Sequence, residues 1–365
     1  MEFRKCTLED MVMHKLLNFY NGKKVYITGH TGFKGSWLAY ILHKAGAEVI
    51  GFSLNPNTNP SLFSEINLKN KITSQIGDIS NPLEFEKSIL DVKPDFIFHL
   101  AAQPLVRYSY TNTIETYNSN IIGTANLLEA CKKMDNKCVV VCITTDKVYL
   151  NNEWDYPYRE NDSLGGYDPY SASKAAAEII IDSYRKSFFR NSGISVASVR
   201  AGNVIGGGDW SEDRLIPDFV RSIHQGQPIL IRNPNAVRPW QHVLEPLFAY
   251  LLLGFKMFEN KRDYCEAWNV GPFNHDTKTV LEVCQSLLIH MKNGEIKIED
   301  NPNQLHEAGK LKLDISKFGS AFNWKPKWSS EVAIQRTAEW YKLFIEGNAA
   351  SNLLDADILA YLDNE

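Results

Sequence analysis

Tyr170 and Lys174 stand four residues apart in YSASK, so one turn of helix would put both side chains on one face. A lysine there can lower the phenol's pKa and hold a ribose hydroxyl. Tyr170 could then take a proton from an alcohol as hydride leaves its carbon. Upstream, Thr145, Asp146 and Lys147 follow one another in TTDKVY, directly after the apolar run CVVVCIT. At a strand end they could hold a substrate hydroxyl, donate one proton and accept another, although the same residues also suit a turn that closes the strand. A solvated helix face would equally explain a lone Tyr–Lys pair, so the surroundings decide.

Those surroundings include three glycines. VYITGHTGFKGSWL sets Gly29, Gly32 and Gly35 after a β-branched run and at the opening of an amphipathic stretch. Glycines there let the backbone approach a pyrophosphate, and the helix N-terminus adds N–H groups and partial positive charge. The acid that usually takes the adenosine ribose at the end of the second strand is replaced by Ser53, and no arginine follows in SLNPNT to accept a 2′-phosphate. Asp78 in GDIS is either an adenine contact or an Asx-turn ahead of Pro82.

Strands and helices must hold these groups together. VYIT, EVIGF, DFIFHLA, CVVVCIT and ISVASVR read as strands, and helical stretches are expected over 33–44, 82–90, 114–133 and 170–189. That alternation predicts an α/β fold, a Rossmann-type doubly wound parallel sheet spanning 22–200. Past Arg200 the regular repeat ends, and 201–365 reads as a smaller C-terminal α/β substrate-binding domain, with AWNVG at Ala267 able to return to the first sheet. Residues 1–21 read as an N-terminal leader segment.

Composition narrows the function classes. With 44% hydrophobic and 22% charged residues the chain can bury a large core. A net charge of −4 with mixed signs argues against nucleic-acid binding and for a small-molecule partner. The six cysteines, at 6, 131, 138, 142, 265 and 284, show neither a metal pattern nor a disulfide framework, so reduced thiols and no metal are expected. The apolar stretch 247–258 is broken by Gly254 and Lys256 and falls short of the ~20 residues that span a bilayer. The expected compartment is the cytoplasm.

GHTGFKGSW, HLAAQPLVRYSY, TTDKVY, YSASKAAAE, RAGNVIGGGDW, DRLIPD and RPWQHVLEPL together resemble the extended short-chain dehydrogenase/reductase family, and within it the nucleotide-sugar 4,6-dehydratases. The last three motifs are most similar to the group acting on CDP-glucose. The resemblance implies NAD as cofactor, held by Gly29, Thr31, Gly32, Phe33, Gly35, Asp78, Ile79, Leu100, Ala101 and Ala102 with Tyr170 and Lys174. It implies that Thr145 orients the sugar's carbon-4 hydroxyl and Asp146 protonates the departing carbon-6 hydroxyl. It assigns the substrate to Gln103, Arg107, Asn203, Asp209, Arg238 and His242, with Trp210 shaping the nucleotide pocket. Sister dehydratases carry a glutamate base for carbon 5 where this chain has Lys147, a poor base unless its surroundings lower its pKa. The base is therefore left open between Lys147 and another group. His99 and Asn120 are expected to be structural, and the helices starting near Ile114 and Tyr170 resemble the pair that builds a four-helix interface, implying a homodimer or homotetramer. Rival readings are a dehydratase of another nucleotide sugar, a 4-epimerase, or a non-catalytic NAD-binding protein. An epimerase would not need an acid at Asp146, and a binding protein would not need the Tyr–Lys pair.

Overall fold

The computed structural model describes residues 8–260, 263–292, 294–298 and 309–363. Seven strands form one parallel sheet: β1 (Lys24–Thr28), β2 (Glu48–Ser53), β3 (Thr73–Ile76), β4 (Phe96–His99), β5 (Cys138–Ile143), β6 (Ile194–Ala201) and β7 (Ala267–Val270). Their order is β7-β6-β5-β4-β1-β2-β3, so the winding reverses between β1 and β4, where Thr28 lies beside His99. In open α/β sheets that reversal opens a crevice at the strands' C-terminal ends.

The helices that follow are α1 (Leu8–Phe19), α2 (Phe33–Lys44), α3 (Pro82–Val92), α4 (Gly123–Lys132), α5 (Pro169–Tyr184), α6 (Leu215–His224), α7 (Leu244–Glu259), α8 (Val280–Met291), α9 (Ser330–Ile345) and α10 (Ala350–Leu362). Strand side chains alternate between two cores, as a period of two requires. Val25, Ile27, Phe96 and Val141 pack with α2 and α7 on one face. Tyr26, Ile97, Val140 and Val196 pack with α3, α4 and α5 on the other. Burial on both faces explains why these strands read as continuous apolar runs.

Ala267–Val270 does return to the first sheet, alongside β6. Helix α7 packs on β5 and β6, so the sheet's covering also draws on sequence beyond residue 200. The remaining C-terminal segments form three two-stranded ladders beside the crevice, including Val204–Ile205 with Gln241–His242 and Val237–Arg238 with Lys278–Thr279. Of the stretch expected as a leader, residues 1–7 lie outside the described residues and the rest joins the core: α1 lies against α7 and α10, and the Tyr20 hydroxyl donates to the Leu251 carbonyl at 2.7 Å. The helix expected over 114–133 contains one π-helical turn, Asn118–Ile122.

Cys131, Cys138, Cys142 and Cys284 are buried free thiols, Cys265 is half-buried, and Cys6 lies outside the described residues. No helix among the described residues is long and apolar enough to cross a membrane, and no metal-ligand cluster occurs among them.

Candidate active site

Helix α5 begins where its sequence says it should. Asp168 accepts the Ser171 N–H at 2.9 Å, and Pro169 fills the first turn, where its missing N–H costs little. Tyr170 and Lys174 therefore sit at the end of α5 nearest the crevice. One turn further on, Glu178 anchors the helix to the sheet. It accepts hydrogen bonds from the Thr144 hydroxyl at 2.6 Å, the Ser198 hydroxyl at 2.9 Å and the Arg200 guanidinium at 2.8 Å. Burial would raise the Glu178 pKa, but Arg200 and these bonds outweigh it and hold the carboxyl below its usual range.

Past the end of β5, the Thr145 hydroxyl donates to Asp146 Oδ1 at 3.0 Å. Asp146 is 1% exposed, and its Oδ2 has no hydrogen-bond partner. Burial pushes its pKa up against the pull of Lys147, Thr145 and Arg238. Burial also pushes the Tyr170 phenol up to about 12, against a hydrogen bond with Thr145. The Lys174 ammonium is brought down to about 8 by burial and donates to the Ile143 carbonyl at 3.4 Å. A carboxyl of raised pKa, a phenol and a lysine of reduced basicity thus converge in one cleft, a grouping typical of proton-transfer sites.

The cleft holds about 780 Å³ and brings together Thr145, Asp146, Lys147, Tyr170 and Lys174. Phe33, Leu100, Ala102, Arg107, Asn203, Asp209 and Arg238 also line it. Arg107 lies 3.7 Å from Asp213, and Asp209 accepts from Arg214 at 3.0 Å. Arg238 is buried and donates to the Val237 and Gly309 carbonyls.

Two assigned substrate residues are not brought to the cleft. Gln103 turns inward, with its amide donating to Thr116 at 2.8 Å and accepting from the Leu105 N–H. His242 is fully buried on the far side of its short strand, between the rings of Trp37 and Trp328. Trp210 likewise packs on Tyr341 and Phe344, away from the cleft. Asp78 forms the Asx-turn, accepting the Ser80 N–H at 2.8 Å, and Ile79 packs under Gly123. His99 and Asn120 are structural. His99 bonds the Thr28 and Thr124 hydroxyls, and burial holds its pKa at about 3. Asn120 bonds the backbone of Gln103 and the Ser173 hydroxyl, which draws the π-helical turn inward.

The glycine loop fits a dinucleotide. A Cβ on Gly35 would stand 2.0 Å from the Gly29 carbonyl oxygen, and one on Gly29 would stand 2.8 Å from the Ala101 nitrogen. The loops at the ends of β1 and β4 are thus packed backbone to backbone, and the first turn of α2 has no side-chain cap at Gly32. Its N–H groups are available to a phosphate. Thr31 and Ser53 share a 2.8 Å hydrogen bond at the side of this loop.

Sequence reasoning missed three residues here. Lys34 and Arg214 line the cleft, and Glu178 fixes α5. Lys34 stood inside the GHTGFKG motif, where attention falls on the backbone. Glu178 stood at the end of YSASKAAAE, one turn beyond the lysine.

Comparison with known proteins supplies the remaining context. Residues 26–337 match the family model described as GDP-mannose 4,6 dehydratase. The chain is 47% identical over 335 residues to a CDP-glucose 4,6-dehydratase of Salmonella typhimurium, covering 90% of this chain and 93% of that one. A dTDP-glucose 4,6-dehydratase of Haemophilus influenzae is 28% identical over 344 residues, covering 87% and 97%. Among solved structures, an epimerase from Methanothermobacter thermautotrophicus matches with a TM-score of 0.79 at 22% identity, covering 92% and 96%. A dTDP-glucose 4,6-dehydratase from Bacillus anthracis in complex with NAD matches with a TM-score of 0.73 at 24% identity, covering 89% and 98%. These two structures share the fold.

Proposed function

Because the chain belongs to the GDP-mannose 4,6 dehydratase family, we propose that its cleft removes water from CDP-glucose to give CDP-4-keto-6-deoxyglucose. It is an NAD-dependent nucleotide-sugar 4,6-dehydratase, a hydro-lyase with no net redox change. The cytidine preference is supported by the 47% identity to the Salmonella enzyme. Asp146 carries the choice of dehydration over epimerisation, because a buried carboxyl with a raised pKa and an unpartnered oxygen is suited to protonating a leaving hydroxyl.

NAD supplies the hydride acceptor at carbon 4 and the hydride donor at carbon 6. The protein moves protons and holds geometry. Thr145 orients the carbon-4 hydroxyl, and Tyr170 takes its proton. Lys174, a turn away on α5, stabilises the phenolate and meets the ribose. Asp146 gives its proton to the carbon-6 hydroxyl, which leaves as water while carbon 5 loses its proton to a base, and a proton returns to carbon 5 when carbon 6 regains the hydride. Arg107, Asn203, Asp209 and Arg238 line the part of the cleft assigned to the nucleotide, where arginine forks suit diphosphate oxygens. Exposed Ile114, Ile122, Ile179 and Phe188 mark the helices of the expected homo-oligomer, and the free buried thiols fit a reducing cytoplasm.

Purified protein incubated with NAD and, separately, CDP-glucose, dTDP-glucose, UDP-glucose and GDP-mannose tests the proposal. The product is followed by mass and by absorbance in alkali. Loss of one water from CDP-glucose in preference to the others is the expected result. Preferential turnover of another sugar would overturn the base choice, and a C4 epimer without loss of water would overturn dehydration.

A further inference from the structure

Lys34 is the second residue of α2, within the first turn, which has no side-chain cap at Gly32. Its side chain lines the cleft with Asp146, Tyr170, Lys174, Asp209 and Arg214. It makes no hydrogen bond or ion pair among the described residues. The charged groups facing it come from every side. Lys174 on α5 and Arg214 ahead of α6 oppose its charge, while Asp146 after β5 and Asp209 ahead of α6 favour it. Neither acid is a dedicated partner. Asp209 is engaged by Arg214 at 3.0 Å, and Asp146 has its own raised pKa.

We propose that Lys34 is a ligand-completed cation, whose ammonium is paired by a diphosphate oxygen of a molecule bound in the cleft. The inference rests on the reading that the cleft takes a dinucleotide and a sugar nucleotide. Two sources of the diphosphate are available, the cofactor and the nucleotide sugar. Lys34 lines the same cleft as Lys174, Asp209 and Arg214.

Burial, then Arg214 and Lys174, lower the Lys34 pKa to about 7 in the unliganded protein. A phosphate oxygen within hydrogen-bond distance favours the charged form and returns the pKa toward that of an ordinary lysine. At pH 8 the side chain is therefore mostly neutral before binding and charged after it, an uptake of about 0.9 proton. Lys174, lowered to about 8, adds a smaller uptake of its own. The readout is therefore the difference between wild type and a Lys34 variant.

Calorimetric titration of full-length protein at pH 8, in two buffers of different ionisation enthalpy, measures that uptake. One arm uses NAD and the other CDP. In the arm whose phosphates reach Lys34, wild type should take up nearly one proton more than Lys34→Met, and Lys34→Met should bind about tenfold more weakly. Lys34→Arg, whose guanidinium is charged throughout, should retain affinity but lose the extra uptake. Equal uptake by wild type and Lys34→Met in both arms would overturn the role of Lys34 alone. Failure of wild type to bind either ligand would overturn the reading of the cleft as well.

Discussion

Asp357 on α10 offers a quantitative test of how the scaffold behind the cleft is built. It is 5% exposed, and its Oδ2 lies 3.9 Å from His242 Nε2, too far for a hydrogen bond; neither atom has a hydrogen-bond partner. Arg336 approaches Oδ1 at 4.0 Å. The His242 imidazole accepts the Leu244 N–H on Nδ1 and is held neutral, with burial pushing its pKa down to about 3. It therefore offers Asp357 no positive charge. Burial raises Asp357 from 3.8 to about 7, with Arg336 pulling it down only in part.

At about 1.4 kcal/mol per pKa unit, that rise corresponds to about 4 kcal/mol of linkage. The native state holds the proton more tightly than the unfolded chain. The contribution is thus fully present below pH 3.8 and is lost as pH rises through about 7. Asp357→Asn removes the linkage while keeping the shape. The free-energy difference between variant and wild type should move in the variant's favour by about 3 kcal/mol between pH 5 and pH 8. An amide N–H without an acceptor costs about 1–3 kcal/mol at both pH values, so the net gain at pH 8 is smaller than the linkage alone. Urea unfolding at the two pH values measures both quantities. A difference that stays constant with pH would refute the account of Asp357 as a buried carboxyl that Arg336 only partly compensates.

Asp146→Asn should retain oxidation at carbon 4, seen as reduced cofactor in the near-ultraviolet on addition of CDP-glucose, while loss of water slows by about 10²–10⁴-fold. Loss of both steps together would remove Asp146 from the acid role. Glu178→Gln strands the buried Arg200 guanidinium and should cost about 3–5 kcal/mol in urea unfolding at neutral pH. Because the native Glu178 pKa is lowered, that cost should shrink as pH falls below its ordinary value of 4.5. Gly35→Ala drives a methyl into the Gly29 carbonyl, 2.0 Å away, and should destabilise the protein by about 1–3 kcal/mol. Calorimetric titration should also show weaker NAD binding, and unchanged affinity would show that the loop relaxes freely.

What the sequence disclosed follows from how far each feature depends on its neighbours in the chain. β1, β4, β5 and β6 were legible because both faces of each strand are covered, and β7 because AWNVG sets Trp268 and Val270 around a single polar Asn269. β3, TSQI, is an edge strand, half-exposed and without an apolar signature, so only its pairing with β2 reveals it. Tyr170, Lys174, Thr145 and Asp146 were legible because one helix turn and one strand end fix their placement. Gln103, His242 and Lys34 were not, because tertiary contacts set the direction of each side chain. Thr116 and Leu105 hold Gln103 inward, the pleat of a two-residue strand sends His242 into the core, and a glycine motif read for its backbone hides a lysine that faces the cleft. Spacing thus brings together the groups proposed to move protons, while the charges around them, which shift their pKa values, depend on contacts made after folding.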